Sequence, residues 1–437
     1  MTTTYWCERA WRGPGDVVDG LAIVVAGTHI CAVAETDCPP EAIRLPGLTI
    51  PGFANCHSHA FHRALRGRTQ RGAGTFWTWR KAMYDVAARL DPDTYYALAS
   101  AVYREMALAG ITAVGEFHYL HHGPDGTPYA DPNALGHAVT AAARDAGLRI
   151  ALLDACYLSS GDGRPPEGVQ ARFADDGVEA WAARVAGLGD PADPGVVVGA
   201  AIHSVRAVPR EALAGVAGAL PGPLHVHLSE QVAENDACLA RYGVTPTRLL
   251  AEEGVLDARL SAVHATHLDG GDVALLGAAG CFADFCPTTE RDLGDGVGPS
   301  VELRDAGVTL TLGTDSHAVV DLFEEMRAVE LDERLTTGRR GSWRSSQLLS
   351  AATADGHRSL GFADAGTFAA GQWADLVTID VATPRTAGAG SGEEAAVFAA
   401  SAADITHVVA SGVLQERDHA SVGRSLERAV ADVVGGR

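Results

Sequence analysis

The chain has 437 residues, of which 47% are hydrophobic and 20% charged, the composition of an ordinary globular protein with an ample core. This length exceeds one average domain and allows a large domain together with a smaller one. The formal net charge of −21 argues against a nucleic acid or an anionic membrane as partner, because both call for a basic surface.

The cysteines and the apolar segments bear on the cellular compartment. Eight cysteines are scattered without a CxxC motif, and a chain with so large a core has no need of disulfide bonds, so we predict reduced thiols. We expect no targeting leader, since no basic-then-apolar segment opens the sequence, and no apolar stretch approaches the roughly 20 residues of a membrane span. These features predict a cytoplasmic protein without a membrane partner.

Eight apolar runs rich in β-branched residues alternate with Ala/Leu/Arg stretches of helical character between residues 48 and 358. The runs cover residues 48–55, 111–117, 148–155, 196–202, 223–228, 260–263, 281–285 and 308–313. This alternation is typical of parallel strands joined by crossover helices, and eight such units predict a (β/α)8 TIM barrel over residues 51–358.

Both ends of the chain differ from this middle part. Short strand-like runs at 21–25, 374–380 and 407–412 are separated by turn residues. We therefore expect residues 1–50 and 359–437 to meet in one small composite β-sandwich domain beside the barrel. The predicted fold class is α/β.

Polar and ionisable side chains follow the predicted strands at their C-terminal ends. They are His57, His59, His118, His203, His227, Glu230, His264 and Asp315. In a (β/α)8 barrel the strand ends converge on one face, where such enzymes carry their chemistry. Three histidines with one carboxylate form a ligand set suited to zinc or a similar divalent metal, with one position left for water.

The order of these motifs resembles that of the amidohydrolase superfamily, which places HxH after strand 1, His after strands 5 and 6, and Asp after strand 8. The resemblance implies four metal ligands, which are His57, His59, His227 and Asp315. Glu230 and His264 would be catalytic groups that do not bind the metal. His267 is the rival of His264 for its role, and we favour His264 because it ends its apolar run directly.

The number of metal ions follows from the lysine content. Superfamily members that hold two metals bridge them through a carboxylated lysine of the barrel, on strand 4. The only lysine here, Lys81, follows strand 1. The resemblance therefore implies a mononuclear site with one divalent ion per subunit, which we predict to be Zn2+, with Fe2+ or Mn2+ as alternatives.

A narrower resemblance is to the formimidoylglutamate deiminase family. The similar strings are FWTWR at 76–80, EFHYLHH at 116–122, HLSEQ at 227–231, CPTTE at 286–290 and LGDG at 293–296. That family hydrolyses N-formimino-L-glutamate, an intermediate of histidine degradation, to N-formyl-L-glutamate and ammonia. The resemblance implies this small acidic substrate and a homodimer.

A substrate with two carboxylates needs a locally basic pocket, which arginine provides best with its planar fork. We select Arg80, in the loop after strand 1, and Arg206, after strand 4. Tyr119, His203 and His62 are further candidates for hydrogen bonds to the substrate. His62 stands where the family has Gln, so a preference for another chain length, such as that of formimino-aspartate, stays open.

In the implied reaction the metal activates a water molecule that attacks the formimino carbon. Glu230 would carry a proton to the leaving nitrogen, Asp315 would accept the proton of the water, and His264 would stabilise the developing oxygen charge. Two other classes of function remain. One is a mononuclear deaminase or chlorohydrolase of a purine, pyrimidine or triazine ring, and the other is a metal-free scaffold that uses the barrel for subunit contacts.

Overall fold

The computed structural model describes residues 2–70, 74, 76–161, 163–189 and 192–435. Its strands form a seven-stranded sheet from both ends of the chain and an eight-stranded sheet from the middle. The first sheet contains β1 (Thr2–Gly13), β2 (Asp16–Ala26), β3 (His29–Glu35), β4 (Ile43–Pro51), β13 (Leu376–Ile379), β14 (Ile405–Ala410) and β15 (Val413–Leu414). The second contains β5 (Phe53–Ser58), β6 (Ile111–His118), β7 (Arg149–Cys156), β8 (Val196–Ile202), β9 (Leu224–Leu228), β10 (Leu260–His264), β11 (Phe282–Phe285) and β12 (Thr309–Leu312).

Helices connect the strands of the second sheet and flank both sheets. They are α1 (Phe76–Ala87), α2 (Pro92–Leu108), α3 (Ala134–Asp145), α4 (Val178–Val185), α5 (Arg210–Ala219), α6 (Val232–Tyr242), α7 (Pro246–Glu252), α8 (Gly270–Ala279), α9 (Pro287–Leu293), α10 (Ser300–Asp305), α11 (Leu322–Thr337), α12 (Ser345–Ala352), α13 (Ala354–Ser359), α14 (Glu393–Phe398) and α15 (His419–Val434). Short 3-10 helices cover Ala60–Leu65, Pro124–Gly126, Gly168–Arg172 and Ala402–Asp404. None of the described helices is long and apolar enough to span a bilayer.

The eight-stranded sheet is a parallel barrel whose strands pair in chain order from β5 to β12. Its two edges meet where the backbone N–H groups of Thr314 and Asp315 donate to the His57 carbonyl at 3.1 and 2.9 Å. The predicted (β/α)8 barrel is confirmed. Because all strands run in the same direction, all of their C-terminal ends lie on one face.

The prediction of a single strand over 48–55 is wrong. The chain forms two strands there, since β4 ends at Pro51 in the seven-stranded sheet and β5 begins at Phe53 in the barrel. The two meet at Gly52, where an added Cβ would lie 2.5 Å from side-chain atoms of Thr112. Only glycine allows this close approach, and the chain passes from one sheet to the other at this residue.

The seven-stranded sheet has the order β15-β14-β13-β4-β1-β2-β3, so the three C-terminal strands lie side by side and join the four N-terminal strands through the antiparallel pairing of β13 with β4. The predicted composite β domain is thus confirmed. Its own core contains Tyr5, Leu21, Ile23, Leu376 and Val409. The C-terminal helix α15 packs against α2 of the barrel. The domain boundaries after residue 50 and before residue 359 stay a prediction.

A buried ion pair joins the barrel to this composite sheet. Arg149, at the start of β7, places Nη2 2.6 Å from Oδ2 of Asp375, and their side chains are 2% and 1% exposed. The Arg149 guanidinium also lies over the Trp373 ring, 4.5 Å from its centroid. The pair sits at the N-terminal face of the barrel, opposite the strand ends where chemistry is expected, so its role is stability.

Replacing Arg149 with methionine should lower the free energy of unfolding by about 3–5 kcal/mol, because the Asp375 charge would remain buried without its partner. Urea denaturation followed by tryptophan fluorescence measures this change. The matched control is Arg144→Met, which breaks the exposed pair with Asp193 (2.8 Å, side chains 59% and 26% exposed). That exposed pair is expected to contribute at most about 1 kcal/mol. Equal losses of unfolding free energy in the two variants would contradict a stabilising role specific to the buried pair.

Candidate active site

The four side chains that the sequence predicts as metal ligands lie together at the C-terminal face of the barrel. Nε2 of His227 lies 3.1 Å from Nε2 of His57 and 3.3 Å from Nε2 of His59. Oδ1 of Asp315 lies 3.4 Å from Nε2 of both His57 and His59. One oxygen and three nitrogens thus converge from β5, β9 and the segment after β12.

The hydrogen bonds of these histidines decide which nitrogen carries the proton. Nδ1 of His59 lies 2.9 Å from the Phe117 carbonyl, and Nδ1 of His227 lies 2.8 Å from the His203 carbonyl. A carbonyl oxygen only accepts, so each Nδ1 donates and each Nε2 of a neutral ring presents a lone pair. Burial lowers the pKa of both histidines well below the usual value, so the rings are neutral. The two facing lone pairs repel unless a cation lies between them.

The spacing of this donor set also fits a metal. Zinc ligands about 2.0–2.1 Å from the ion at tetrahedral angles lie about 3.3 Å from one another. Four of the six separations between the donor atoms, at 3.1, 3.3, 3.4 and 3.4 Å, are close to that value. Neutral imidazoles and one carboxylate are ligands of the type that divalent zinc, iron and manganese accept. The residues present therefore fit one divalent ion.

His264, Glu230 and Glu290 form a second cluster beside the ligands. Nε2 of His264 lies 3.9 Å from Oε1 of Glu230 and 3.9 Å from Oδ2 of Asp315, while its Nδ1 lies 3.3 Å from Oε1 of Glu290. Glu290 is itself held by the backbone N–H of Cys286 at 2.9 Å. Burial lowers the pKa of His264, but Glu230 and Glu290 outweigh it and raise this pKa well above the usual value. His264 can thus donate a hydrogen bond towards the site.

The backbone is strained where these side chains leave the strands. Non-glycine residues with positive φ include Ser229 (51°), His264 (68°), Ala265 (46°), Asp315 (39°) and His317 (57°). All five follow or end the barrel strands β9, β10 and β12. Left-handed backbone costs an L-residue about 1–3 kcal/mol and persists at functional sites, where it aims side chains. The strain supports a functional role for this face.

A cavity of about 360 Å3 opens beside the candidate metal ligands. All five predicted substrate residues line or adjoin it, and these are His62, Arg80, Tyr119, His203 and Arg206. His62 and Tyr119 share a hydrogen bond of 2.7 Å between Nε2 and the phenol oxygen. No carboxylate in the described ranges pairs with Arg80 or Arg206, and Nε of Arg206 is buried without a partner there. The two guanidinium groups therefore place positive charge on the cavity wall, which also carries the buried carboxyls of Glu230 and Glu234.

The FWTWR string is helical, and our prediction of a loop at Arg80 is wrong. Residues Phe76–Ala87 form α1, which turns Met83, Val86 and Ala87 into the core. The apolar residues thus recur at helical spacing, a pattern that the two tryptophans obscure in the sequence. Arg80 lies over the Tyr84 ring, 5.1 Å from its centroid, and lines the same cavity as Met83.

His267 and His317 lie near the site but outside the cavity lining. His267 is half-buried and is not part of the cavity lining, whereas His264 is. His317 is fully buried, with Nδ1 3.0 Å from Oγ1 of Thr314 and Nε2 3.2 Å from Oγ of Ser58. His264 lines the cavity and His267 does not, while the catalytic role of His264 stays a prediction.

Sequence reasoning missed several residues of this site. Glu290, which contacts His264, stands in α9 just beyond the end of β11, so its position near a strand end was a signal for it. Tyr157 also lines the cavity and directly follows β7, so it had the same strand-end signal. Tyr84 and Glu234 line the cavity from α1 and α6, where no sequence signal separates them from packing residues.

The protein combines a barrel with a composite sheet. It carries HxH at the first barrel strand and an aspartate after the eighth. A profile of the amidohydrolase family matches residues 48–414. The chain belongs to the amidohydrolase family.

This amidohydrolase is 37% identical to the formimidoylglutamate deiminase of Pseudomonas aeruginosa over 412 residues, which cover 90% of each chain. It is 30% identical to a 5-methylthioadenosine/S-adenosylhomocysteine deaminase of Pelotomaculum thermopropionicum, across 93% of this chain and 91% of the relative. A crystal structure of an amidohydrolase from Brucella melitensis matches with a TM-score of 0.92 and 32% identity, covering 99% of this chain and 100% of that one.

These findings confirm the predicted class of enzyme. The amidohydrolase hydrolyses a carbon–nitrogen bond. Metal dependence is typical of the family, and the converging histidines and Asp315 are candidates for the ligands. The non-enzymatic scaffold is excluded by these relationships, while the substrate is a separate question.

Proposed function

We propose that this amidohydrolase hydrolyses N-formimino-L-glutamate to N-formyl-L-glutamate and ammonia. The observation that carries the proposal is the pair Arg80 and Arg206, which line the cavity beside the metal ligands without a carboxylate partner in the described part of the chain. A guanidinium binds a carboxylate through charge-assisted hydrogen bonds, and two of them suit a substrate with two carboxylates. The similarity to the Pseudomonas aeruginosa deiminase supports the same substrate.

His57, His59, His227 and Asp315 would hold the ion, for which we propose Zn2+ because three imidazole nitrogens and one carboxylate oxygen are ligands typical of zinc. When bound, it supplies an activated water molecule next to the formimino carbon. Fe2+ and Mn2+ suit the same donors and remain alternatives. The homodimer, the histidine-degradation role and the cytoplasmic location stay predictions.

Asp315 and the residues around the proposed metal ligands have separate roles in proton transfer and hydrogen bonding. Glu230 reaches the cavity, and burial raises the pKa of its carboxyl, so it can hold a proton and pass it to the leaving nitrogen. His264 donates from Nε2 to the oxygen that gains negative charge when the carbon becomes tetrahedral. Glu290 accepts from Nδ1 of His264 and so keeps that ring turned towards the site. Asp315 accepts the first proton from the attacking water.

The first experiment is ammonia release by the zinc-loaded enzyme from N-formimino-L-glutamate, with N-formimino-L-aspartate, guanine and cytosine alongside. Selective turnover of N-formimino-L-glutamate is expected. Preference for the aspartate analogue would indicate that His62, in place of glutamine, favours a substrate with a shorter side chain. Turnover of guanine or cytosine instead would favour the alternative function, a ring deaminase. Two observations support that alternative: the aromatic side chains of Trp77, Trp79 and Phe173 in the cavity wall, and the similarity to the Pelotomaculum deaminase.

Replacing Arg80 or Arg206 with methionine should raise KM for N-formimino-L-glutamate about 10- to 100-fold, because each loses a charge-assisted hydrogen bond to a carboxylate. Initial rates across a range of substrate concentrations measure KM and kcat separately. Arg144→Met, on the far surface, serves as the control and should leave both constants unchanged. An unaltered KM in both cavity variants would rule out the dicarboxylate substrate.

A further inference from the structure

Gln170 joins two tyrosines of the cavity wall. It lies in the 3-10 helix Gly168–Arg172, and its Nε2 is 2.9 Å from the hydroxyl of Tyr157 and 3.1 Å from the hydroxyl of Tyr84. Gln170 is 7% exposed and Tyr157 is 2% exposed. Both tyrosines line the cavity, whereas Gln170 stands behind them.

The backbone settles which way the Gln170 amide faces. The N–H of Glu167 donates to Oε1 of Gln170 at 3.2 Å, as part of a capping box at the start of this short helix. An N–H can only donate, so the atom opposite Glu167 must be the amide oxygen. The NH2 group therefore points to the tyrosines, and each of its two hydrogens is donated to one phenol oxygen.

This arrangement leaves both phenol protons for another acceptor. A phenol has one proton to donate and lone pairs that accept, and here the lone pairs receive the Gln170 hydrogens. No described residue accepts the proton of either Tyr84 or Tyr157. Because both side chains line the cavity, two O–H donors are available to a molecule inside it.

Positive charge surrounds the two hydroxyls. The Arg80 guanidinium lies over the ring of Tyr84, 5.1 Å from its centroid. Burial raises the pKa of Tyr157 to about 12, although Arg206 and Arg80 lower it, so the hydroxyl keeps its proton at neutral pH. Two neutral donors beside guanidinium groups form a site for an anionic oxygen acceptor.

We propose that Tyr84 and Tyr157, oriented by Gln170, form with Arg80 a subsite that binds one carboxylate of the substrate. The tyrosines contact the ligand, and Gln170 is a positioning residue that acts through them. The inference rests on the proposed function for the identity of the dicarboxylate. The geometry of the donors is independent of the reaction.

The test is calorimetric binding of N-formyl-L-glutamate and of glutarate to the zinc-loaded enzyme. Tyr157→Phe and Tyr84→Phe each remove one hydroxyl and should weaken binding about 10- to 100-fold, the effect of losing one hydrogen bond to a charged group. Tyr96→Phe is the matched control, since its hydroxyl bonds to Asp145 on the outer surface. That variant should bind as the wild type does.

Gln170→Glu distinguishes positioning from simple structural support. The new carboxylate would accept the phenol protons instead of donating to the phenol oxygens, so the hydroxyls would turn away from the cavity. Binding should weaken at least as much as in either Phe variant, while the thermal midpoint stays near that of the wild type. With the double variant Tyr84→Phe/Tyr157→Phe as background, Gln170→Glu should cause no further loss.

The outcomes separate the two proposals. If the enzyme releases no ammonia from N-formimino-L-glutamate but binds glutarate with the expected dependence on the tyrosines, the proposed function fails and the subsite stands. Unchanged affinity in both Phe variants would overturn the subsite, whatever the substrate. Failure of the wild type to bind either dicarboxylate would overturn it as well.

Discussion

The variant His227→Ala is expected to lose both the bound metal and ammonia release. His227 contributes the nitrogen that lies closest to both other histidine ligands, at 3.1 and 3.3 Å. Loss of partners that only support a metal ligand already costs about 10- to 100-fold in metal affinity or activity, so loss of a ligand should cost at least about 100-fold. Metal content after dialysis and the rate of ammonia release measure the two effects.

The control for this variant is His137→Ala. His137 is exposed and pairs with Asp131 on the outer surface of α3, so its removal should change neither metal content nor rate. Full metal occupancy and full activity in His227→Ala would show that the four side chains are not the ligand set. Wild-type activity after complete removal of metal would contradict the proposed mechanism more broadly.

The variant Glu230→Gln is expected to reduce kcat by about 100- to 10,000-fold while metal content stays at the wild-type level. The amide has the size of the carboxyl but cannot pass a proton to the leaving nitrogen. Glu230 lies near His264 and is not one of the four converging ligands, so the metal site should remain intact. Single-turnover measurements separate the chemical step from product release.

Glu234→Gln tests whether the loss in Glu230→Gln comes from proton transfer or from negative charge alone. Glu234 lines the same cavity from the first turn of α6, with a pKa that burial raises to about 7, and makes no contact with His264 within ion-pair distance. Its substitution should reduce kcat far less than Glu230→Gln does. Equal losses in the two variants would mean that charge, and not proton transfer, explains the effect of Glu230.

The sequence by itself determined the barrel, the composite sheet and the placement of the predicted strand-end residues on one face. The reason is geometric, because parallel strands bring their C-terminal ends to one face whatever their exact pairing. A histidine or aspartate just past an apolar run is therefore assigned to the C-terminal face of the barrel even when the strand bounds are off by a few residues. His57, His59, His227, His264 and Asp315 all follow this rule.

Only the tertiary structure decided contacts that no periodic pattern encodes. The bond between His264 and Glu290 spans 26 residues, and that between Gln170 and Tyr84 spans 86. The passage of the chain between two sheets at Gly52 likewise depends on Thr112, a neighbour in space. Strand and helix periods report which face of an element is buried, but they carry no information about which side chains of different elements meet there. Those side-chain contacts depend on how the strands and helices pack against one another.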